Sequence, residues 1–315
     1  MIYILIAIVL ILTEQFYIRL MDKTSLFSAL QDRRKDERPI WSGAGLLFYV
    51  GMLIFSVIHN FMYPWFFISI SLLALVGFWN AIKPVPTFIQ HMALWGSLLV
   101  MYLDLNFYET HSWTLILILL MSSLLIMYAF RAMDGVNRIS GGSSFVVLLV
   151  LGFINARMVP FMDAMYLWIA VLTSVILCFA NLKFRMRAFG GEAGAGMLAI
   201  IVLFALGKLI TVSHDMSYLI LLIVYFVDTL LTLFYRIARH ESIIEAEGNH
   251  IYQLLVVKRN FSPVAVSAMF ASVQSLVVAG YLILFPYRWI YFVVVILLLC
   301  LFYVLLERRI NNFKE

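Results

Sequence analysis

The residues of this chain best suited to chemistry gather in short polar segments between apolar runs. Segment 133–142 reads M-D-G-V-N-R-I-S-G-G and sets one acid, Asp134, among Gly135, Gly141 and Gly142, with Arg131 and Arg138 close by. Glycines let a backbone approach an anion closely, arginines neutralise it, and a carboxylate can hold a divalent cation. The same residues also fit a helix C-terminus closed by glycine, with the acid in the turn. Segment 181–196, N-L-K-F-R-M-R-A-F-G-G-E-A-G-A-G, repeats this chemistry with three basic residues, a run of glycines and one acid, Glu192. Gly194, Ala195 and Gly196 serve equally well as a small-residue stripe for close helix contact. Segment 240–255 reads H-E-S-I-I-E-A-E-G-N-H-I-Y-Q-L-L. Its acids and histidines suit metal binding or acid–base work, but their spacing matches no zinc pattern, and a solvated loop is the plainer reading.

The elements that must position these segments are membrane helices. With 64% hydrophobic and 12% charged residues, the chain carries roughly half the charge a water-soluble surface needs. Apolar runs lie at 2–20, 44–59, 61–82, 87–103, 112–133, 143–155, 161–183, 193–213, 216–236, 264–285 and 287–306. The expectation is therefore an all-α polytopic membrane protein of about eleven transmembrane helices. The count falls to ten if 44–59 or 143–155, both short for a bilayer core about 30 Å thick, re-enters instead of crossing. The first run has no positive leader and no small-residue cleavage site, and so reads as a retained span.

Of the 22 Lys and Arg residues, all but Arg157, Arg288 and Lys208 fall in alternate connections. Basic residues in short loops stay on the cytoplasmic side, so the expected topology is N-outside, C-inside. One domain, 1–315, is expected, with cytoplasmic loops 21–43, 80–86, 131–143, 181–192 and 237–263. The net charge of +5 is then a topology signal, and no interleaved basic and aromatic surface points to nucleic acid. Cys178 and Cys300 fall inside apolar runs and read as small core residues without a disulfide.

Polar chemistry confined to one face separates function classes. A transporter places its polar site near the bilayer midplane. Here Lys208 and Asp228 are the clearest charges at that depth, and the expectation is that they satisfy one another or backbone groups, the alternative being a translocation path.

Five ordered landmarks carry a resemblance: S-G-A-G-L-L-F at 42–48, G-F-W-N-A-I at 77–82, M-D-G-V-N-R-I-S-G-G at 133–142, F-G-G-E-A-G-A-G at 189–196 and E-G-N-H-I-Y-Q-L-L at 247–255. In their order over most of the chain, with G-K-L-I-T and Y-F-V-D-T-L-L-T between them, the chain resembles the polyprenyl-phosphate N-acetylhexosamine-1-phosphate transferases. This is glycosyltransferase family 4, which includes the translocase that makes the first lipid-linked peptidoglycan precursor, and the likeness is greatest to its glycan-priming branch. The resemblance implies transfer of a sugar 1-phosphate from a UDP-N-acetylhexosamine to polyprenyl (undecaprenyl) phosphate, releasing UMP, with Mg²⁺, at the cytoplasmic face of a bacterial inner membrane. It implies a role in starting cell-envelope glycan synthesis and is compatible with a homodimer. Phosphoryl transfer rests on positioning and charge neutralisation, which suits such loops.

Carried over position by position, the resemblance assigns catalytic roles to Asp134, Asn80 and His250. It assigns substrate contacts to Arg131, Asn137, Arg138, Asn181, Gly191 and Glu247, and metal ligation to Glu192 and Asp134. The chain departs from the family pattern at several of these positions. Asn80 and Ala81 stand where the family has adjacent aspartates, and Tyr128 and Arg131 where it has asparagines. Arg138 replaces a usual glycine, while Glu192 and Ala195 replace the Asp and Ser of a G-D-x-G-S motif. Of an H-R-x-H motif only His250 matches, Glu247 and Gly248 taking the other places. Two alternatives to catalysis follow: a lipid-phosphate-binding or assembly protein, and a lipid transporter.

Overall fold

The computed structural model describes residues 2–23, 41–42, 45–83, 85–110, 112–137, 140–183, 188–189, 191–238 and 250–311; side chains at several segment ends, among them 132–137, 140–143, 179–183 and 191–193, lie outside the description. The described residues are almost wholly helical: α1 (Ile2–Lys23), α2 (Leu46–Ile58), α3 (Pro64–Ile82), α4 (Thr87–Asp104), the short α5 (Phe107–Thr110), α6 (Trp113–Asn137), α7 (Ser140–Arg157), α8 (Ala164–Lys183), α9 (Gly191–Ser213), α10 (Ile223–Ala238), α11 (Ile251–Arg259), α12 (Pro263–Ile283) and α13 (Arg288–Asn311). A 3-10 turn, Met216–Leu222, leads into α10. Six of these segments are long and apolar enough to cross a membrane: α1, α6, α9, the 3-10 turn with α10, α12 and α13. α2, α3, α7 and α8 carry shorter apolar stretches. In its described residues the chain is thus a helical membrane protein.

Local chemistry sets the helix ends. Pro64 and Pro263 open α3 and α12, where a missing N–H costs no helical bond. Ser262 caps α12 by accepting from the Ala265 N–H at 3.2 Å. Asn260 closes α11 in the left-handed region at φ 55°, a conformation asparagine tolerates.

Helix extends into several of the polar segments. α6 runs to Asn137 and α7 begins at Ser140, so the described residues of 133–142 are helical. Likewise α3 reaches Ile82, α8 reaches Lys183, α9 starts at Gly191, and α11 lies inside 237–263. Hydropathy marks the slab of hydrocarbon, whereas the backbone ladder continues into the headgroup layer as long as its own hydrogen bonds close. Segments 24–40, 184–187 and 239–249 lie outside the described residues.

α9 is the hub. Its apolar window is 83% buried, against 11% for α13, so α9 forms the core and α13 the rim. It packs against α2, α3, α4, α6 and α7. Phe204 of α9 lies 4.6 Å from the Phe66 ring and 5.1 Å from that of Tyr63. Tyr166 of α8 donates its hydroxyl to the Ile201 carbonyl at 3.1 Å, as a buried phenol must find a partner.

The start of α9 is tied to the start of α2. Trp41–Ser42 pairs in parallel with Ala188–Phe189, and a Cβ placed on Gly194 would lie 2.7 Å from the Gly45 Cα. Close backbone contact, the packing reading of the small-residue stripe, therefore accounts for Gly194.

At the opposite end of α3 and α4, the Phe66 N–H donates to Asp104 Oδ2 at 2.6 Å and Lys208 Nζ donates to the Asp104 carbonyl at 2.5 Å. The ammonium also stands 5.1 Å from the Tyr63 ring centre. Lys208 is therefore satisfied by a backbone carbonyl and by rings, while Asp228 has a different partner. Of the two expected arrangements, pairing with one another or with backbone groups, Lys208 takes the second.

Candidate functional site

Two polar assemblies flank the C-terminal end of α6. The first is a cleft lined by Leu73, Val76, Gly77, Asn80, Gln90, Ala93, Leu94, Arg131 and Gly196. Asn80 lies in the last turn of α3 and Gln90 in the first turn of α4, so the short connection between these helices brings them together. Asn80 Oδ1 accepts from the Val85 N–H at 3.0 Å and from Gln90 Nε2 at 3.3 Å. Gln90 Nε2 also donates to the Val85 carbonyl at 3.0 Å. With both amide protons engaged, Gln90 turns Oε1 to Arg131, whose Nη2 donates to it at 2.9 Å.

This relay fixes which groups face outward chemically. Asn80 Oδ1 is occupied, and its Nδ2 has no partner among the described residues. Among the described residues the lining side chains carry one formal charge, the guanidinium of Arg131. A cation beside an amide donor recognises an anion, and a guanidinium suits the paired oxygens of a phosphate. On the outer faces of α3 and α4, Leu75, Trp79, Phe88 and Met92 are exposed. The cleft thus opens among apolar side chains.

The second assembly surrounds His250, the first residue before α11. His250 is only 6% exposed, so the solvated-loop reading fails for it. Its Nδ1 lies 2.9 Å from Asp228 Oδ2 and 3.3 Å from Thr232 Oγ1. Thr232 Oγ1 also meets the Tyr303 hydroxyl of α13 at 2.7 Å. The His250 N–H donates to Gln253 Oε1 at 3.2 Å, and the Ile251 N–H approaches Asp228 Oδ1 at 3.4 Å. Tyr252 stacks on the imidazole at 5.2 Å. A buried carboxylate and histidine held in this way satisfy one another where water is excluded.

α6 separates the two assemblies. Arg131 serves the cleft, while its neighbour Phe130 stacks at 4.8 Å on Tyr225, less than one turn before Asp228 on α10. Ser144, in the second turn of α7, reaches the Tyr225 hydroxyl at 3.3 Å.

Of the residues singled out by sequence, the structure therefore joins Asn80 with Arg131 and places His250 in a separate buried network. The backbone sets Asp134 and Asn137 in the last turn of α6, Asn181 in the last turn of α8, and Gly191 and Glu192 in the first turn of α9. The side chains of these five lie outside the described residues, as do Arg138 and Glu247 altogether. Gln90, Thr232 and Tyr303 complete the assemblies without having been singled out, and Asp228, singled out for its depth, joins His250. The signals for them were faint: a lone amide in an apolar run, and the four-residue spacing of Asp228 and Thr232 on one helix face.

The described donor set does not fit Mg²⁺. The described lining of the cleft contributes no carboxylate, its two carboxamide oxygens are taken by donors, and its one charge is positive, the reverse of what a hard cation requires. Among the described residues no cluster of three or more His, Cys, Asp or Glu stands ready for a metal. The expected metal ligands Asp134 and Glu192 lie outside this set. No protein-family model matches the chain, and no curated protein does.

Proposed function

We propose that the cleft of Asn80, Gln90 and Arg131 binds the phosphate head group of a polyprenyl phosphate, and that the chain transfers an N-acetylhexosamine 1-phosphate to it from a UDP-sugar. The supporting observation is the convergence of one guanidinium and an amide donor at the end of helices whose outer faces are apolar. An anionic head group sits against the donors while its hydrocarbon stays in lipid. In the transfer, an oxygen of the polyprenyl phosphate forms a bond to the phosphorus that carries the sugar. The bond from that phosphorus to the bridging oxygen breaks, and UMP leaves with that oxygen. Arg131 neutralises negative charge on the acceptor, which like-charge repulsion otherwise keeps from the donor pyrophosphate.

In this reading the chain crosses a bacterial inner membrane eleven times, N-outside and C-inside, with both assemblies at the cytoplasmic side and a homodimer as the assembled form. The alternation of basic residues supports the orientation. Reporter fusions at residues 110 and 260 test it: opposite sidedness is required.

A second reading, a lipid-phosphate-binding or assembly protein without turnover, draws on the lack of a carboxylate among the described residues that line the cleft. Purified protein in detergent with polyprenyl phosphate, Mg²⁺ and a panel of UDP-sugars separates the two. UMP release supports the transferase. Lipid-phosphate binding by calorimetry without UMP release or UDP-sugar binding supports the second reading and refutes the first.

A further inference from the structure

We infer that Asp228 is a positioning residue that holds His250 in the tautomer carrying its proton on Nδ1, leaving Nε2 as the one ring nitrogen able to accept a proton or meet a ligand's hydrogen-bond donor. The proton count in the network carries the assignment. Thr232 Oγ1 donates to the Asp228 main-chain carbonyl at 2.7 Å, and a carbonyl only accepts. The single proton of Thr232 is thereby committed. The Tyr303 hydroxyl, 2.7 Å from Thr232 Oγ1, must then be the donor of that pair. Of the side-chain neighbours of His250 Nδ1, Thr232 Oγ1 at 3.3 Å is therefore an acceptor, and although the capping box of α11 also turns the Gln253 backbone N–H to this side chain, the 2.9 Å contact with Asp228 Oδ2 assigns the proton to Nδ1.

The ring has no freedom to reverse this. Tyr252 lies against its face at an interplanar angle of 23°, and the backbone N–H of His250 is held by Gln253. Asp228 Oδ1 faces the Ile251 N–H at 3.4 Å, which fixes the plane of the carboxyl group. Nε2 has no partner among the described residues. The opposite arrangement, a neutral Asp228 donating to a bare Nδ1, makes Nε2 a donor and inverts which ligand group the histidine can meet. The tautomer stands on geometry alone; its use in turnover rests on the transferase reading proposed above.

The test is ¹⁵N NMR of the full chain in detergent with only histidine labelled. The chain has six histidines, and an H250Q sample identifies the signals of His250 by subtraction. Nδ1 observed as a protonated nitrogen supports the inference, and a bare Nδ1 overturns it. In D228N the expected change is a rise in the Nε2-protonated form, because a carboxamide can turn a donor to Nδ1; an unchanged tautomer overturns the positioning role. The wild-type spectrum decides the tautomer even if D228N does not fold. In the UMP-release assay, D228N is expected to lower kcat about 10- to 100-fold with KM little changed, and an unchanged kcat counts against positioning. Absence of turnover in the wild type refutes the transferase reading and leaves the spectrum to decide the tautomer.

Discussion

Arg131→Met is the sharpest perturbation of the proposed head-group site. The guanidinium is half-buried and already oriented by the 2.9 Å bond to Gln90 Oε1, so little side-chain entropy remains to be lost on binding. Methionine retains most of the apolar stem and removes the charge and every donor. A hydrogen bond to a charged group contributes about 1.5–3 kcal/mol, which is roughly a 10- to 100-fold loss of affinity. Arg131→Lys keeps the charge but not the planar fork, and should fall between the two. The loss of the bond to Gln90 destabilises the folded protein by about 1 kcal/mol, without touching the ligand. Calorimetry of dodecyl phosphate binding in detergent, with dodecanol as the uncharged control, reads the effect. The phosphate is expected to bind more tightly than the alcohol, and R131M to abolish that preference. Binding to R131M within about twofold of wild type, or equal binding of phosphate and alcohol by wild type, would refute the assignment of Arg131 and of the cleft.

Other substitutions probe the same architecture. Asn80→Asp preserves an oxygen where Oδ1 accepts from Val85 and Gln90 but adds a negative charge, so dodecyl phosphate binding in EDTA should weaken about tenfold; tighter binding would show that the head group does not sit beside Asn80. If position 80 corresponds to one of the adjacent aspartates of the transferases that the sequence resembles, the same variant should raise UMP release in Mg²⁺ above wild type. Gly194→Ala drives a Cβ to 2.7 Å from the Gly45 backbone, whereas Gly152→Ala meets nothing within 4 Å. The first should lower stability by about 1–3 kcal/mol and the second leave it level or slightly higher, as read by thermal unfolding in detergent. Lys208→Met loses a bond to the Asp104 carbonyl and its stacking on Tyr63. It should cost about 1–2 kcal/mol of stability yet leave phosphate-lipid binding within about twofold of wild type; loss of function in a folded K208M protein would favour the transporter alternative.

How much of this was legible follows from the range of each interaction. Helices appear where apolar runs appear because a bilayer core imposes a length and a hydropathy on anything that crosses it. Their ends were less legible: Asp134 belongs to the final turn of α6 rather than to a glycine turn, since a helix keeps its hydrogen bonds past the last apolar residue. Asn80 and Arg131 stood out because each sits where an apolar run stops. Gln90 did not, because an amide in an apolar run gives no sign of which neighbouring helix it faces. The His250 network spans still longer distances. His250 and Asp228 are 22 residues apart, and Thr232 and Tyr303 are 71 apart. Neither separation has a period, so only the fold brings them together. The alternatives for Gly194 were decided by Gly45, which precedes another helix.

The end of α6 gives these separate facts a common frame. Successive residues on a helix point about 100° apart, and Phe130 and Arg131 use that angle to face the α10 network and the cleft respectively. A rotation of α6 about its axis cannot improve one contact without disturbing the other, because Phe130 is fully buried against Tyr225 while Arg131 is held through Gln90 to the α3–α4 connection. Asp134 lies one turn further along the same helix, so its backbone is braced from both sides. A site that must bring a lipid head group and a second anionic substrate into register needs this kind of rigid divider more than it needs any single residue, since positioning supplies much of the rate in phosphoryl transfer. The physical content of the motif at 133–142 is therefore the helix that carries it, wedged between an arginine-lined cleft and a buried histidine–aspartate pair.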